Sequence, residues 1–282
     1  MTAPGPLSVG RPEDPSAAPS LRFDDVIATY AIDGVLSVPL DFFPGVPGDY
    51  WSARPEMLSA TGRVHVAAGG LLVESSAATV LIDAGVGADR GALLDVLATA
   101  GRGPDDIDVV AFTHLHFDHA GRAFAARHKT FPNARYVLSA AEWAPYAGGD
   151  LRGDRYTPAH VLRELAHTPL ELISDGEEIV PRVHAIVTGG HTPGHTAYVI
   201  TSRTGRRLIA FGDAFHIPAQ LAHPEWFSSA DADHAGVLAA RRRLLDELSA
   251  PETYGFGCHF GDQVFGRVTP VGTWAPVPPG SV

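Results

Sequence analysis

The chain's most reactive-looking stretch is Thr113-His114-Leu115-His116-Phe117-Asp118-His119, where four side chains able to bind a metal fall within six residues. Imidazole nitrogens and carboxylate oxygens are good ligands for first-row cations, and few other roles need so many of them packed so tightly. The stretch directly follows the apolar run Ile107 to Phe112, which reads as a buried strand. Chemistry at the carboxyl end of a strand is a common α/β arrangement. In an extended segment alternate residues point the same way, so His114, His116 and Asp118 can converge. His119 then faces elsewhere, towards a second metal.

His-x-His-x-Asp-His after an apolar strand resembles the signature of the metallo-β-lactamase superfamily. The family's other motifs follow in order. Leu81 to Gly85 resembles the early strand-and-turn motif, whose Asp supports the metal site. Thr192-Pro193-Gly194-His195-Thr196 resembles the third-ligand motif, Phe211-Gly212-Asp213 the bridging-carboxylate motif, and Gly257-Cys258-His259 the last histidine motif. The resemblance runs over roughly residues 23 to 268, and an ordered set is far more specific than any one motif. The fold it implies is α/β, a four-layer αββα sandwich with metals at one edge between the sheets.

Carried over residue by residue, the resemblance implies two divalent metal ions. His114, His116 and His195 would hold the first; Asp118, His119 and His259 the second; Asp213 would bridge. Zinc is the default for this set, with iron, manganese or cobalt tolerated. Asp83 is expected behind the ligands, orienting one such as His116 or a backbone turn, and His191 is expected behind them too. The implied reaction is hydrolysis by a water shared between the two cations, its pKa brought towards neutral, acting on a carbonyl or phosphoryl centre.

The catalytic set read from the motifs is Asp118, Asp213 and His216. His216 stands where the acyl-homoserine-lactonase branch usually carries a tyrosine. With Gln220, the run Phe131 to Ala134 and the Asp231/Arg241 helix, it resembles the branch of methyl-parathion-hydrolase-like enzymes. His216 could act as an acid or hydrogen-bond donor, or be a structural histidine. His65 and His184 read as packed in strands. His128, His160, His167, His223 and His234 read as surface or helix residues, and Cys258 as a small buried filler.

Composition narrows the partners. The 282 residues carry a net charge of −11, which argues against a nucleic-acid surface. One cysteine excludes an intramolecular disulfide. No apolar run reaches the length of a membrane span, and residues 1–20 lack a secretory-signal pattern, so a cytoplasmic protein with no membrane partner is expected. The resemblance implies a homodimer as the common case.

The elements that must position these residues read as follows. Residues 1–20, rich in Pro, Ala, Ser and Gly, read as a flexible arm, 21–268 as one domain, and 269–282 as an irregular tail. Val26 to Ile32 is a strand ending at a Gly34 turn; Val64 to Val66, Gly70 to Glu74 and Thr79 to Ile82 are further short strands. Residues 39–62 form a long loop rich in aromatics, either a lid over an apolar pocket or satellite core. Phe42, Phe43 and Trp51 from it, with Phe215, Trp226 and Phe227, are the candidate substrate-pocket residues. Helices are expected over 89–100, from His119 to Arg127, from Ser139 into Trp143, over 159–166 and over 231–250. The last has an apolar stripe, with Arg241, Arg242 and Arg243 as its solvated face.

The function expected is a metallo-hydrolase opening a lactone or small carboxylic ester. The alternatives are an organophosphate triester or aryl ester hydrolase, then a thioesterase or β-lactamase; outside catalysis, a metal-containing ligand-binding protein. A glyoxalase-II-like reading is disfavoured because Ala197-Tyr198 stands where a further Gly-His is sought.

Overall fold

Along the central strands, neighbouring side chains enter different cores. Val80, Ile82, Val109, Ala111 and Val137 pack into one, while Leu81, Val110, Tyr136 and Leu138 pack into another. Period-two alternation with both faces apolar requires a sheet covered on both sides. The computed structural model describes residues 18–87 and 91–278 and shows that arrangement.

The first sheet has seven strands. These are β1 (Ser20–Phe23), β2 (Val26–Val38), β3 (Val64–Glu74), β4 (Thr79–Ile82) and β5 (Val109–Ala111), and then, after a small hairpin β6 (Phe124–Ala125) and β7 (His128–Lys129), β8 (Arg135–Ser139) and β9 (Leu170–Ile173). β1 to β4 pair antiparallel, whereas β4, β5, β8 and β9 run parallel. The second sheet runs in chain order through β10 (Glu178–Val180), β11 (Val183–Val187), β12 (Thr196–Thr201), β13 (Arg207–Ala210), β14 (Thr253–Phe256), β15 (Phe265–Val268) and β16 (Trp274–Pro276).

The inter-sheet core joins Phe23, Tyr30 and Leu71 to Tyr198, Leu208 and Phe256. Helices α1 (Gly48–Ser52), α2 (Leu93–Thr99), α3 (Phe117–Ala120), α4 (Ala140–Trp143), α5 (Ala159–Leu165) and α6 (His234–Leu248) complete the chain. Leu93 and Leu97 of α2 and Leu162 and Leu165 of α5 cover the first sheet's outer face. Leu244 and Leu248 of α6 cover the second sheet's. The four-layer αββα sandwich is therefore the fold. No helix among the described residues is long and apolar enough to cross a membrane.

Several local expectations change. Gly34 is not a turn: β2 continues through it with a bulge between Ile32 and Gly34. Residues 64–74 form one strand, because Gly69 and Gly70 let it pass close under its neighbours. A Cβ on Gly70 would sit 2.2 Å from the Asp83 carbonyl oxygen. The helix expected from His119 stops at Ala120, and the hairpin of β6 and β7 follows. Ser20 belongs to β1 rather than to an arm; residues 1–17 of that arm lie outside the described residues, as do Asp89 and Arg90 of the expected 89–100 helix and residues 279–282 of the expected tail. The tail is not wholly irregular, since Trp274–Pro276 extends the second sheet beside β15.

Arg241 is the largest correction. It is completely buried, not solvated. Its Nε donates to the Ala214 carbonyl at 2.6 Å, and Nη1 donates to the Pro224 and Trp226 carbonyls at 2.8 and 2.7 Å. Asp231 lies 3.8 Å from Nη2. One guanidinium thus satisfies the carbonyls of the irregular 214–226 segment. Burial lowers its pKa to about 10, so it stays charged at neutral pH.

Candidate metal centre

The centre forms where the parallel half of the first sheet ends. Asp83, just past β4, adopts a left-handed backbone with φ +64°. Its carboxylate accepts the Thr113 backbone N–H and the Thr113 hydroxyl, each at 2.8 Å, and lies 2.8 Å from His119 Nδ1. Asp83 therefore fixes the turn out of β5 and aims His119; its imidazole partner is His119, not His116.

Each of four inward-facing imidazoles has its second nitrogen held by an oxygen. His114 Nδ1 is 3.0 Å from Thr113 Oγ1, His119 Nδ1 is on Asp83, His191 Nδ1 is 2.8 Å from Asp231 Oδ1, and His259 Nδ1 is 2.6 Å from the Ala67 carbonyl oxygen. Such outer contacts fix ring orientation and leave one nitrogen for the centre. His116 caps α3 from an extended conformation and presents Nδ1 to His191 Nε2 at 3.1 Å.

Asp213 lies between two clusters. Ligand atoms of His114, His116, His191 and Asp213 all fall within 4.8 Å of one another, and so do those of His119, Asp213, Cys258 and His259. The contacts to Asp213 are short: His259 Nε2 at 2.9 Å, His119 Nε2 at 3.0 Å and His216 Nε2 at 3.2 Å. Asp118 borders the second cluster, its Oδ2 3.7 Å from His259 Nε2 and 3.8 Å from His119 Nε2. The buried Nε2 of His114 has no hydrogen-bond partner. Buried polar atoms left so are costly, and a cation would satisfy them. The residues fit two divalent ions with nitrogen and oxygen ligands.

One expected ligand falls outside these two groups. His195 is not in either cluster. Its Nε2 accepts the Asp213 backbone N–H at 3.0 Å, and its Nδ1 is 2.7 Å from Thr188 Oγ1. Both nitrogens are spent, and His191, expected behind the ligands, takes the inward position.

Burial and charge set the protonation pattern. Burial lowers His114 and His116 well below the usual histidine value, and lowers His195 to about 3. At His119 and His259 burial acts the same way, but Asp213 together with other neighbours, Asp83 and Asp118 at His119 and Cys258 at His259, outweighs it and both lie well above the usual value. Burial raises Asp213, yet the facing His119, His259 and His216 hold it well below. Burial lowers His216, leaving it neutral at pH 7.

A cavity of about 240 Å³ opens onto the centre, lined by His116, Asp118, Asp213, His216, His259 and Phe42 among others. Of the six expected pocket residues, only Phe42 lines it. Phe43 and Trp51 pack behind, in a core with Val46, Met57 and Ile217. Phe215 is buried under Arg241, Trp226 packs on Tyr50 and His223, and Phe227 stacks on His234. The aromatic loop is thus mainly satellite core. A larger cavity, about 390 Å³, touches His259 but no other cluster member.

Glu142 was expected only as part of the helix after Ser139, with no role at the site. It is buried in α4 and accepts from the Leu115 backbone N–H at 3.1 Å, the Thr192 hydroxyl at 2.7 Å and the Gly194 backbone N–H at 3.0 Å. It ties the His114–His119 loop to the His191–His195 turn. Ser139, which caps α4, donates to the Gly194 carbonyl at 2.6 Å. Gly194 has to be glycine there, since a Cβ would lie 1.9 Å from the Glu142 nitrogen.

The model of the Metallo-beta-lactamase superfamily matches residues 70–259. An N-acyl homoserine lactonase of Bacillus thuringiensis is 28% identical over 124 residues, 44% of this chain and 45% of the relative. One of Bacillus cereus is 28% identical over 168 residues, 59% and 61% of the two chains. The matched segments thus span about half the length of these curated relatives. Among solved structures, AidC, a dizinc quorum-quenching lactonase with a bound product, superposes with a TM-score of 0.79 at 22% identity, covering 97% of this chain and 99% of that one. The hydrolase AbOPH gives 0.80 at 21% identity, covering 95% and 98%. At these identities the structures show a shared fold.

Proposed function

The chain belongs to the metallo-beta-lactamase superfamily, and we propose that it is a dinuclear metal-dependent hydrolase that opens a lactone or small carboxylic ester. The observation that carries this reading is the position of Asp213, shared by two ligand clusters and open to the Phe42 cavity. We assign His114, His116 and His191 to one cation and His119, His259 and Asp118 to the other, with Asp213 common to both and Cys258 beside them. Zinc is the first choice for such ligands. Two such ions, when bound, supply a water of lowered pKa and polarise the carbonyl.

The remaining chemistry belongs to the chain's own side chains. Water adds across the ester: its oxygen bonds to the carbonyl carbon, the ring C–O bond breaks, and the departing oxygen takes a proton. Asp118 and Asp213 line the cavity where that proton must be handled. His216, buried and neutral, faces the same cavity and can donate a hydrogen bond to the oxygen that gains charge. Phe42 supplies an apolar wall.

A phosphotriester hydrolase is the second reading, favoured by the imidazole of His216 stacked at 4° on His259 where a phenol would serve a lactonase. The deciding experiment measures kcat/KM of the zinc-loaded protein on an N-acyl homoserine lactone and on a neutral phosphotriester side by side. Lactone preference is the result expected. A strong phosphotriester preference would replace it with the second reading.

A further inference from the structure

We propose that Arg63 and Arg155 form a carboxylate-recognition site at the rim of the reaction cavity, so that the preferred esters or lactones carry a carboxylate at the far end of the acyl chain. This rests on the hydrolase reading above and narrows its substrate class.

Both arginines line the cavity that holds His116, Asp118 and Asp213. Both are solvent-exposed, and neither has a carboxylate partner among the described residues, unlike Arg102, Arg122, Arg152 and Arg243. The contrast is sharpest within one loop. Arg152 grips Asp150 through two nitrogens at 2.8 and 2.6 Å, while Arg155, three residues on, has only the Tyr156 ring, 4.7 Å from its guanidinium carbon.

The Arg63 guanidinium and the loop that carries Arg155 are nonetheless held in place. Asp154 Oδ1 accepts the Tyr156 and Thr157 N–H groups, each at 2.7 Å, and the Tyr156 carbonyl accepts the Phe117 N–H at 2.8 Å, joining this loop to α3. The Tyr156 ring lies 5.1 Å from the His116 ring, so Arg155, Tyr156 and His116 form successive layers leading into the centre. On the other wall, Arg63 donates Nε to Ser37 Oγ at 3.1 Å and Nη2 to the Ser37 carbonyl at 2.6 Å, which leaves Nη1 unspent. Leu36, Val38, Pro39 and Phe42 line the same cavity and give it an apolar wall.

A guanidinium edge held without a counter-charge matches a carboxylate in shape and charge. In a chain of net charge −11, a paired cationic rim also gives a local field that draws an anion to this mouth. An acyl chain along the apolar wall would place its carboxylate at the rim and its ester at the floor. Water attack then proceeds as for any ester, and the distal carboxylate takes no part in bond-making.

The test compares 4-nitrophenyl hydrogen adipate with its methyl ester on the zinc-loaded full-length protein. The wild type is expected to favour the acid by on the order of tenfold in kcat/KM, mainly through KM, with the preference falling as salt rises. Arg63→Gln and Arg155→Gln together should collapse the acid-to-ester ratio, Arg155→Glu should invert it, and Arg152→Gln should leave it unchanged. A wild-type ratio at or below one, or a ratio unmoved by the arginine variants, overturns the proposal. If neither ester is hydrolysed, it is the ester-hydrolase reading that has failed. Calorimetry with adipate and butyrate then tests the rim itself: tighter binding of adipate, lost in the double variant, supports it, and equal binding of the two overturns it.

Discussion

The backbone N–H of Asp213 donates to His195 Nε2 at 3.0 Å, so His195 positions the shared carboxylate from behind rather than facing the centre. His191, four residues earlier, faces it, with Nε2 3.4 Å from Asp213 Oδ2. The two histidines should therefore fail differently. His191→Ala removes a ligand, and metal content should fall by about one ion per chain, with turnover reduced by at least about a hundredfold. His195→Gln should retain both ions and lose activity through a displaced Asp213. Plasma emission analysis of the purified variants checks this; equal metal loss in both would return His195 to the ligand set.

Glu142 acts on the same parts from the other side. Burial raises its carboxyl pKa, against the hydrogen bonds from Thr192, Gly194 and Leu115 that lower it. Glu142→Ala leaves those donors unpaired at the join of two ligand loops. The expected cost is about 2–4 kcal/mol of stability together with weaker metal binding. Denaturant unfolding and a competitive zinc titration read the two effects; a variant of wild-type stability and affinity would show that the join is not held by this carboxylate.

Arg241→Met should be more damaging than Arg242→Met, by about 3–5 kcal/mol, because only the first leaves three buried carbonyls without their donor and Asp231 without its facing charge. Asp231 also holds His191 at 2.8 Å, so the first variant should lose metal affinity as well as stability. Thermal unfolding of the two proteins, with and without zinc, makes the comparison.

Metal uptake should depend on pH in a defined direction. Burial lowers His119 and His259, but Asp213 and the groups beside it outweigh that and hold both well above the usual histidine value in the metal-free protein. In that state the raised pair stabilises the fold most at pH below the unfolded histidine value, and loses the contribution as pH rises through the raised one. Zinc must displace those protons, so its affinity should climb with pH, by about tenfold per unit for each proton displaced. Calorimetry in buffers of different ionisation enthalpy counts the protons released. No release at pH 7 would contradict the protonation pattern.

The degree to which the sequence disclosed this site differs from residue to residue. His114, His116, Asp118 and His119 were legible because they are contiguous and follow an apolar strand that could only be buried. Asp213 and His259 were legible from motif order. The third histidine was not, because His191 and His195 each follow a glycine at a turn, and only the fold shows which imidazole turns inward. Arg241 could have been read: it falls on one face with Val237, Leu244 and Leu248, whereas Arg242 and Arg243 are rotated away and exposed. The pocket residues were not legible, because contacts such as Trp226 on Tyr50 join loops far apart in the chain.

The measurement that bears most directly on the dinuclear account is a zinc titration of the chelator-stripped protein, following hydrolysis of an N-acyl homoserine lactone. Activity should be absent without metal, rise to a plateau at two ions per chain, and never appear in Asp213→Ala. Turnover by the stripped protein, or full activity in Asp213→Ala, would contradict it.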